Sequence, residues 1–178
     1  MFALRTEGEN MVKKVMQLFL ISLFIVLVGC DYSDEQANQN YVTAIDDLEQ
    51  IEYFKAGALE HILEGELNRK GQAVGFHYNQ LPTKKGEIVE GTKTETNELG
   101  IYEAEVIVNN VEKTSNKGKS TFFPDDWDTQ QVVDAINEAY DNKVFISGNT
   151  YEGLTADGMV IRMYLDQDDR IISAFPIY

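Results

Sequence analysis

The chain has 178 residues, enough for one ordinary domain and too few for two comfortable ones. Its make-up, 43% hydrophobic and 25% charged with three prolines and 13 glycines, is that of a folded protein and excludes collagenous or low-complexity chains. One cysteine and two histidines exclude a disulfide framework and a multi-cysteine zinc site, and a net charge of −15 argues against broad capture of nucleic acid on a basic face.

The N-terminus reads as an export signal. Lys13 and Lys14 precede an apolar run from Val15 to Val28, broken only by Gln17 and Ser22, which ends at Gly29 and Cys30. A basic region, a short apolar region and small residues at its end make a secretory signal. The run is too short to span a bilayer comfortably, since a membrane helix needs about 20 residues. Leu27-Val28-Gly29-Cys30 looks like a bacterial lipobox, in which cleavage precedes the cysteine and the thiol carries lipid. The alternative is a plain signal or uncleaved anchor with a chance cysteine. Met11 reads as the start, because residues 1–10 add two glutamates ahead of the basic region. The expected organisation is a signal over 1–29, a polar tether over 30–40 and one domain over 41–178. Loss of 1–29 removes three basic and two acidic residues and leaves a net charge of −16.

From Tyr41 to Leu67 the apolar residues Ile45, Leu48, Ile51, Phe54, Ala58, Ile62 and Leu63 follow helical spacing, and Gly57 divides the stretch into two helices. Strand patterns follow over 73–78, 87–94 and 101–108, with Ala104, Val106 and Val108 alternating in the last. Residues 97–100 and Asn109-Asn110 supply turns. Asp128 with Gln131 fits a capping box for a helix whose apolar face is Val132, Val133, Ile136, Ala139 and Tyr140. Short strands over 144–147, 159–165 and 170–175 complete the chain. Helices, antiparallel strands, a helix and more antiparallel strands make an α+β protein, with two small antiparallel-sheet lobes on either side of residues 128–140.

Two constellations carry chemistry. His61 sits near a helix end and His77, sixteen residues on, within a strand pattern. Each alone is more often structural than catalytic. Together they suit acid–base work, because an imidazole titrates near neutrality. They form neither an i, i+4 pair nor an HExxH motif, so no metal or other cofactor is expected. The second constellation is residues 113–124, where Lys113, Lys117 and Lys119 fall within seven positions of an otherwise acidic chain. This is where an anion would go; the plain alternative is a solvated loop. Gly118-Lys119-Ser120 resembles the end of a phosphate loop, but Lys113 stands where the first glycine is required, which excludes that reading.

The blocks "HILEGELNRKGQAVGFHY", "GIYEAEVIVNNVEKTSNKGKSTFFPDDW", "VFISGNTYEGLTADGMVIRMYLD" and "RIISAFPIY" follow one another from His61 to Tyr178. In order and spacing the chain from about Leu59 onward resembles the bacterial EndoU nuclease domain. The resemblance implies a pancreatic-ribonuclease-like core and metal-independent cleavage of single-stranded RNA at uridines. The neighbouring 2′-hydroxyl attacks and a 2′,3′-cyclic phosphate remains. It further implies that His61 and His77 are the acid and base, with His77 preferred as base, and that a lysine stabilises the phosphorane. Lys113 fits that lysine best, with Lys119 and Lys117 as runners-up. The family commonly carries Ser or Thr, one residue, Tyr and Pro near its end. Here Ser173-Ala174-Phe175-Pro176 has Phe175 in the aromatic place, able to stack on a uracil but lacking the hydroxyl. Ser173 is the candidate for the pyrimidine edge, Lys119 a further substrate contact and Tyr178 the candidate to compensate for Phe175.

The expectation is therefore a lipid-anchored, exported endoribonuclease toxin on the extracytoplasmic face of the membrane. Its expected partners are uridine-containing RNA, tRNA among the candidates, the membrane through Cys30, and a cognate immunity protein. The competing readings are an inactive EndoU-like surface binding lipoprotein, which the acidic balance favours, and an acidic inhibitor mimicking nucleic acid.

Overall fold

The computed structural model describes residues 42–178; the expected signal, lipobox with Cys30 and tether lie outside them. The chain opens on a 3-10 turn, Ile45–Asp47, and a short helix α1, Ala58–Leu63. Strands β1 (Glu66–Leu67), β2 (Ala73–Val74), β3 (Gly86–Ile88), β4 (Tyr102–Val108), β5 (Val111–Glu112) and β6 (Lys119–Phe122) come next. Helix α2, Thr129–Asp141, precedes β7 (Val144–Ser147), β8 (Thr150–Leu154), β9 (Val160–Leu165) and β10 (Ile171–Pro176). All these strand pairs are antiparallel: β1 with β2, β3-β4-β5 with β6 also on β4, and the order β10-β9-β8-β7. The β1–β2 ribbon and the β4-centred sheet thus precede α2 and the third sheet follows it, the α+β order read from the sequence.

Each of the larger sheets has its own core. Tyr102, Ala104, Val106 and Val108 point from alternate positions of β4 into a cluster with Phe76 and Phe122, whose rings meet edge to face at 5.2 Å. The second cluster gathers Val132, Val133, Ile136 and Ala139 of α2 against Ile161, Met163 and Ala174, with Ile62 and Leu63 of α1. The expected capping box is present. The Asp128 carboxylate accepts from Thr129 N at 2.7 Å, and Gln131 Oε1 accepts from Asp128 N at 2.8 Å.

The expected helices over 41–67 are largely absent; only α1 forms. The spacing of Leu48 and Phe54 comes instead from an irregular segment pinned to the rest of the fold. Thr43 donates from its backbone and its hydroxyl to Asp128, Gln130 exchanges hydrogen bonds with Glu49, and Asn137 donates to Gln50 O. Lys55 N donates to Ile171 O and Ile171 N to Tyr53 O. With these partners supplied by α2 and β10, the backbone polar groups are satisfied without a helical ladder. The pattern over 73–78 also stops early. Gly75 at φ 72 and Phe76 at φ 61 turn the chain out of β2.

That turn is tightly enclosed. Phe76 N donates to His61 O at 3.1 Å, His77 N to Ile62 O at 2.7 Å, and Phe123 N to His77 O at 2.9 Å. The 75–77 segment is therefore held between α1 and the end of β6. A Cβ on Gly75 would run into the His61 carbonyl, whereas one on Gly71, also at φ 72, would meet nothing within 4 Å. On the other side of β4, β5 and β6 lie end to end along one edge, while the carbonyls of Glu103 and Glu105 accept from Thr94 and Val89 at the opposite edge. Residues 113–118 form an excursion between them.

Gly71→Ala should cost about 1–2 kcal/mol, the left-handed backbone penalty alone. Gly75→Ala should cost at least about 2 kcal/mol more, because backbone must move as well. Urea unfolding of the two variants checks this, and equal losses would mean that the turn yields freely.

Candidate active site

His61 is presented by the last turn of α1. Its Nδ1 lies 3.0 Å from Glu66 Oε1 and its Nε2 lies 3.1 Å from Ser173 Oγ. A carboxylate only accepts, so the Glu66 contact places a proton on Nδ1. His77 follows directly on the enclosed turn and is buried. Its Nδ1 is 2.8 Å from Thr121 O, which likewise only accepts. The neutral ring therefore carries its proton on Nδ1 and leaves the Nε2 lone pair free. Burial, then the cation of Lys113, then His61 hold His77 well below its usual 6.5, against the opposing pull of the Thr121 carbonyl.

Lys113 stands where the chain leaves β5. Its ammonium donates to Ser120 Oγ at 2.7 Å and to Gly75 O at 3.3 Å, and Ser120 Oγ itself donates to Gly75 O at 3.0 Å. Two of its three donors are thus anchored, and one remains for an anion. Burial lowers Lys113 to about 8. Among the described residues no carboxylate pairs with it. The other two lysines of the basic segment differ. Lys119 is paired with Glu103 at 3.2 Å, and Lys117 is exposed and does not line the cleft.

These groups converge. A cleft of about 810 Å³ is lined by His61, His77, Lys113, Lys119, Ser173, Phe175 and Tyr178; of the residues that the sequence put forward for catalysis or substrate contact, Lys117 is left outside. Ser173 and Phe175, two apart on β10, share one face, and Phe175 stacks on His77 at 4.9 Å and 18°. Tyr178 lies at the exposed rim and donates to Glu95 O at 3.1 Å. Other lining residues escaped the sequence reading: Arg162, Tyr164 and Asn149. Arg162 and Tyr164 stand opposite Phe175 and Ser173 in register, and the alternation of β9 was the signal that placed them outward. Arg162 Nε donates to Glu152 at 2.9 Å. Nothing in the sequence marked Glu66 as the partner of His61. Among the described residues no group of three or more His, Cys, Asp or Glu converges as round a metal ion.

Such an arrangement can move protons between two differently held imidazoles and stabilise charge on an oxyanion with a lysine. The charged side chains that line the cleft are Lys113, Lys119 and Arg162 against Glu103 alone, with Glu66 and Glu152 behind His61 and Arg162, so the lining itself is net positive.

Comparison with known proteins agrees with this chemistry. The model of the family described as bacterial EndoU nuclease matches residues 55–178. A protein of Bacillus cereus named "Toxin" is 49% identical over 132 residues, which is 74% of this chain and 24% of that protein. The chain therefore corresponds to about a quarter of that relative. No solved structure matches. With the family model covering the whole of α1 to β10, the chain belongs to the bacterial EndoU nuclease family.

Proposed function

We propose that the protein is an exported endoribonuclease toxin, lipid-anchored through Cys30 on the extracytoplasmic face. It cuts single-stranded RNA at uridines without a metal. The ribose 2′-hydroxyl loses its proton to His77 Nε2 and attacks the adjacent phosphorus. The P–O5′ bond breaks, and His61 gives a proton to the departing 5′-oxygen. A 2′,3′-cyclic phosphate and a 5′-hydroxyl result. Lys113 balances charge on the non-bridging oxygens, as a point charge with one free donor can. Ser173 meets the pyrimidine edge, and Lys119 and Tyr178 contact the flanking strand. The nucleophile comes from the substrate, so the chain need only align groups, move protons and balance charge.

One observation carries this reading: two imidazoles and an unpaired lysine share one cleft, each held by different partners. Two others support it, the family itself and the name of the Bacillus cereus relative. The anchor rests on residues 27–30, and the division into signal, tether and ribonuclease-like domain on the pattern of residues 1–40. Uridine-containing RNA such as tRNA, the membrane and a cognate immunity protein complete the proposal. The net charge of −15 favours the second reading, an inactive surface binding module. RNA cleavage separates the two.

The purified chain should cut a uridine-containing oligoribonucleotide in EDTA and leave cyclic phosphate ends. A 2′-deoxyuridine at the cleavage site should block cutting; products with 5′-phosphates would refute the transfer mechanism.

His61→Ala and His77→Ala should each slow cleavage by roughly a hundredfold or more. The base must be neutral, so on the acid side wild-type rates should fall as pH drops through the depressed value of His77. Lys113→Ala should slow cleavage and also move that acid-side fall upward toward 6.5, because a cation that lowers His77 is gone. In wild type the charge on Lys113 is lost as pH rises through about 8, and the rate should fall there too. Pre-steady-state rates across pH check the signs. An unmoved acid limb in Lys113→Ala would show that the limb does not report an imidazole held down by Lys113.

Cys30→Ser should release the protein from the membrane fraction or stall its processing. Mass spectrometry that finds no lipid on the wild-type thiol would remove the anchor from the proposal.

A further inference from the structure

The stacking of Phe175 on His77 bears on what the aromatic position of β10 does. A single hydrogen bond from Nδ1 to Thr121 O fixes one edge of the imidazole but leaves the ring free to tilt about that bond. The backbone of His77 is already pinned at both ends, by Ile62 O and Phe123 N. The remaining freedom is that of the ring plane. Phe175 removes it, lying against the imidazole at 4.9 Å with the planes 18° apart. Phe175 is itself fixed by its place in the β10–β9 ladder opposite Arg162. Two residues earlier on the same strand, Ser173 Oγ meets Nε2 of His61. One strand therefore touches both imidazoles. The face that Phe175 turns to His77 is not available to a nucleobase.

We propose that Phe175 is a positioning residue for His77, fixing the imidazole plane so that Nε2 stays presented to the cleft. This rests on the reading of His77 as the base, and it differs from a uracil-stacking role. A flat ring is all that the role requires, so the missing phenol hydroxyl costs nothing. The charged and polar groups that face His77 are Lys113 beyond β5, His61 from α1 and the Thr121 carbonyl from β6.

The test compares wild type, Phe175→Leu and Phe175→Tyr in the full chain. Leucine keeps much of the volume and removes the flat face; tyrosine keeps the face. Two quantities are read: long-range proton–nitrogen spectra of the His77 imidazole, and kcat and KM on a uridine-containing oligoribonucleotide. All three should keep the Nδ1–H tautomer that Thr121 O fixes; wild type and Phe175→Tyr should show one sharp set of His77 ring signals, and Phe175→Leu broadened or multiple ones. In Phe175→Leu kcat should fall about tenfold or more, the scale of a misplaced reacting group, with KM within about twofold. Phe175→Tyr should recover kcat to within about threefold. The proposal is overturned if Phe175→Leu instead raises KM at unchanged kcat and loses the preference for uridine. It is equally overturned if the His77 spectrum and kcat do not change. The spectrum needs no substrate. A wild-type chain that fails to cut RNA thus defeats the proposed reaction, while the positioning role is still decided by the spectrum.

Discussion

Everything in the cleft depends on three residues that carry no regular structure. Gly75, Phe76 and His77 run between α1 and the end of β6, and their backbone bonds tie His61, Ile62 and Phe123 together. Two consecutive left-handed residues are needed to make the turn, and the second is a phenylalanine. That conformation is unfavourable for a residue with a Cβ, by about 1–2 kcal/mol. It persists because the Phe76 ring is fully buried between the rings and aliphatic side chains of β4 and β6. Core packing in the first sheet thus fixes the direction of His77. The same turn supplies the carbonyl of Gly75, which anchors Lys113 and Ser120. A buried imidazole and a buried ammonium are set by one local constraint.

The electrostatics follow from that enclosure. His77 has been desolvated and placed beside an ammonium, which keeps it neutral. His61, less buried, is given a carboxylate at Nδ1. The two imidazoles are alike in the sequence and unlike in their surroundings, as a pair with opposite proton duties requires. The lysine is held by neutral oxygens rather than by a carboxylate, so its charge remains available. The surplus of acidic residues is spent elsewhere, partly on ion pairs such as Lys85–Glu64 and Lys55–Asp166.

Much of this was legible in the residues, for identifiable reasons. Helix α2 and strand β4 declare themselves because each buries one face against a continuous core, and periodicity reports exactly that kind of burial. His61, His77 and Lys113 were put forward through the resemblance of whole blocks, and the fold brings all three to one cleft. The stretch before α1 misled because Leu48 and Phe54 are anchors of an irregular segment, and helical spacing cannot tell an anchor from a helix face. Strand β6 was hidden by its lysine and hydroxyl residues, which look solvated until Ser120 and Thr121 are seen buried beside the cleft. Glu66 meets His61 only five residues away, across the bend between α1 and β1, and Arg162 meets Glu152 across paired strands; periodicity announces neither contact.

The end-to-end arrangement of β5 and β6 has a consequence for how the domain can diverge. Residues 113–118 leave and rejoin the same edge of β4, so the ladder is closed on both sides of the excursion. The entropy cost of a longer loop rises only slowly with its length. Insertions or replacements between Thr114 and Gly118 therefore leave the sheet, the enclosed turn and both imidazoles in place. Ser115 and Asn116 nevertheless line the cleft. The excursion is thus a wall of the cleft whose composition can change without moving the groups that stand behind it.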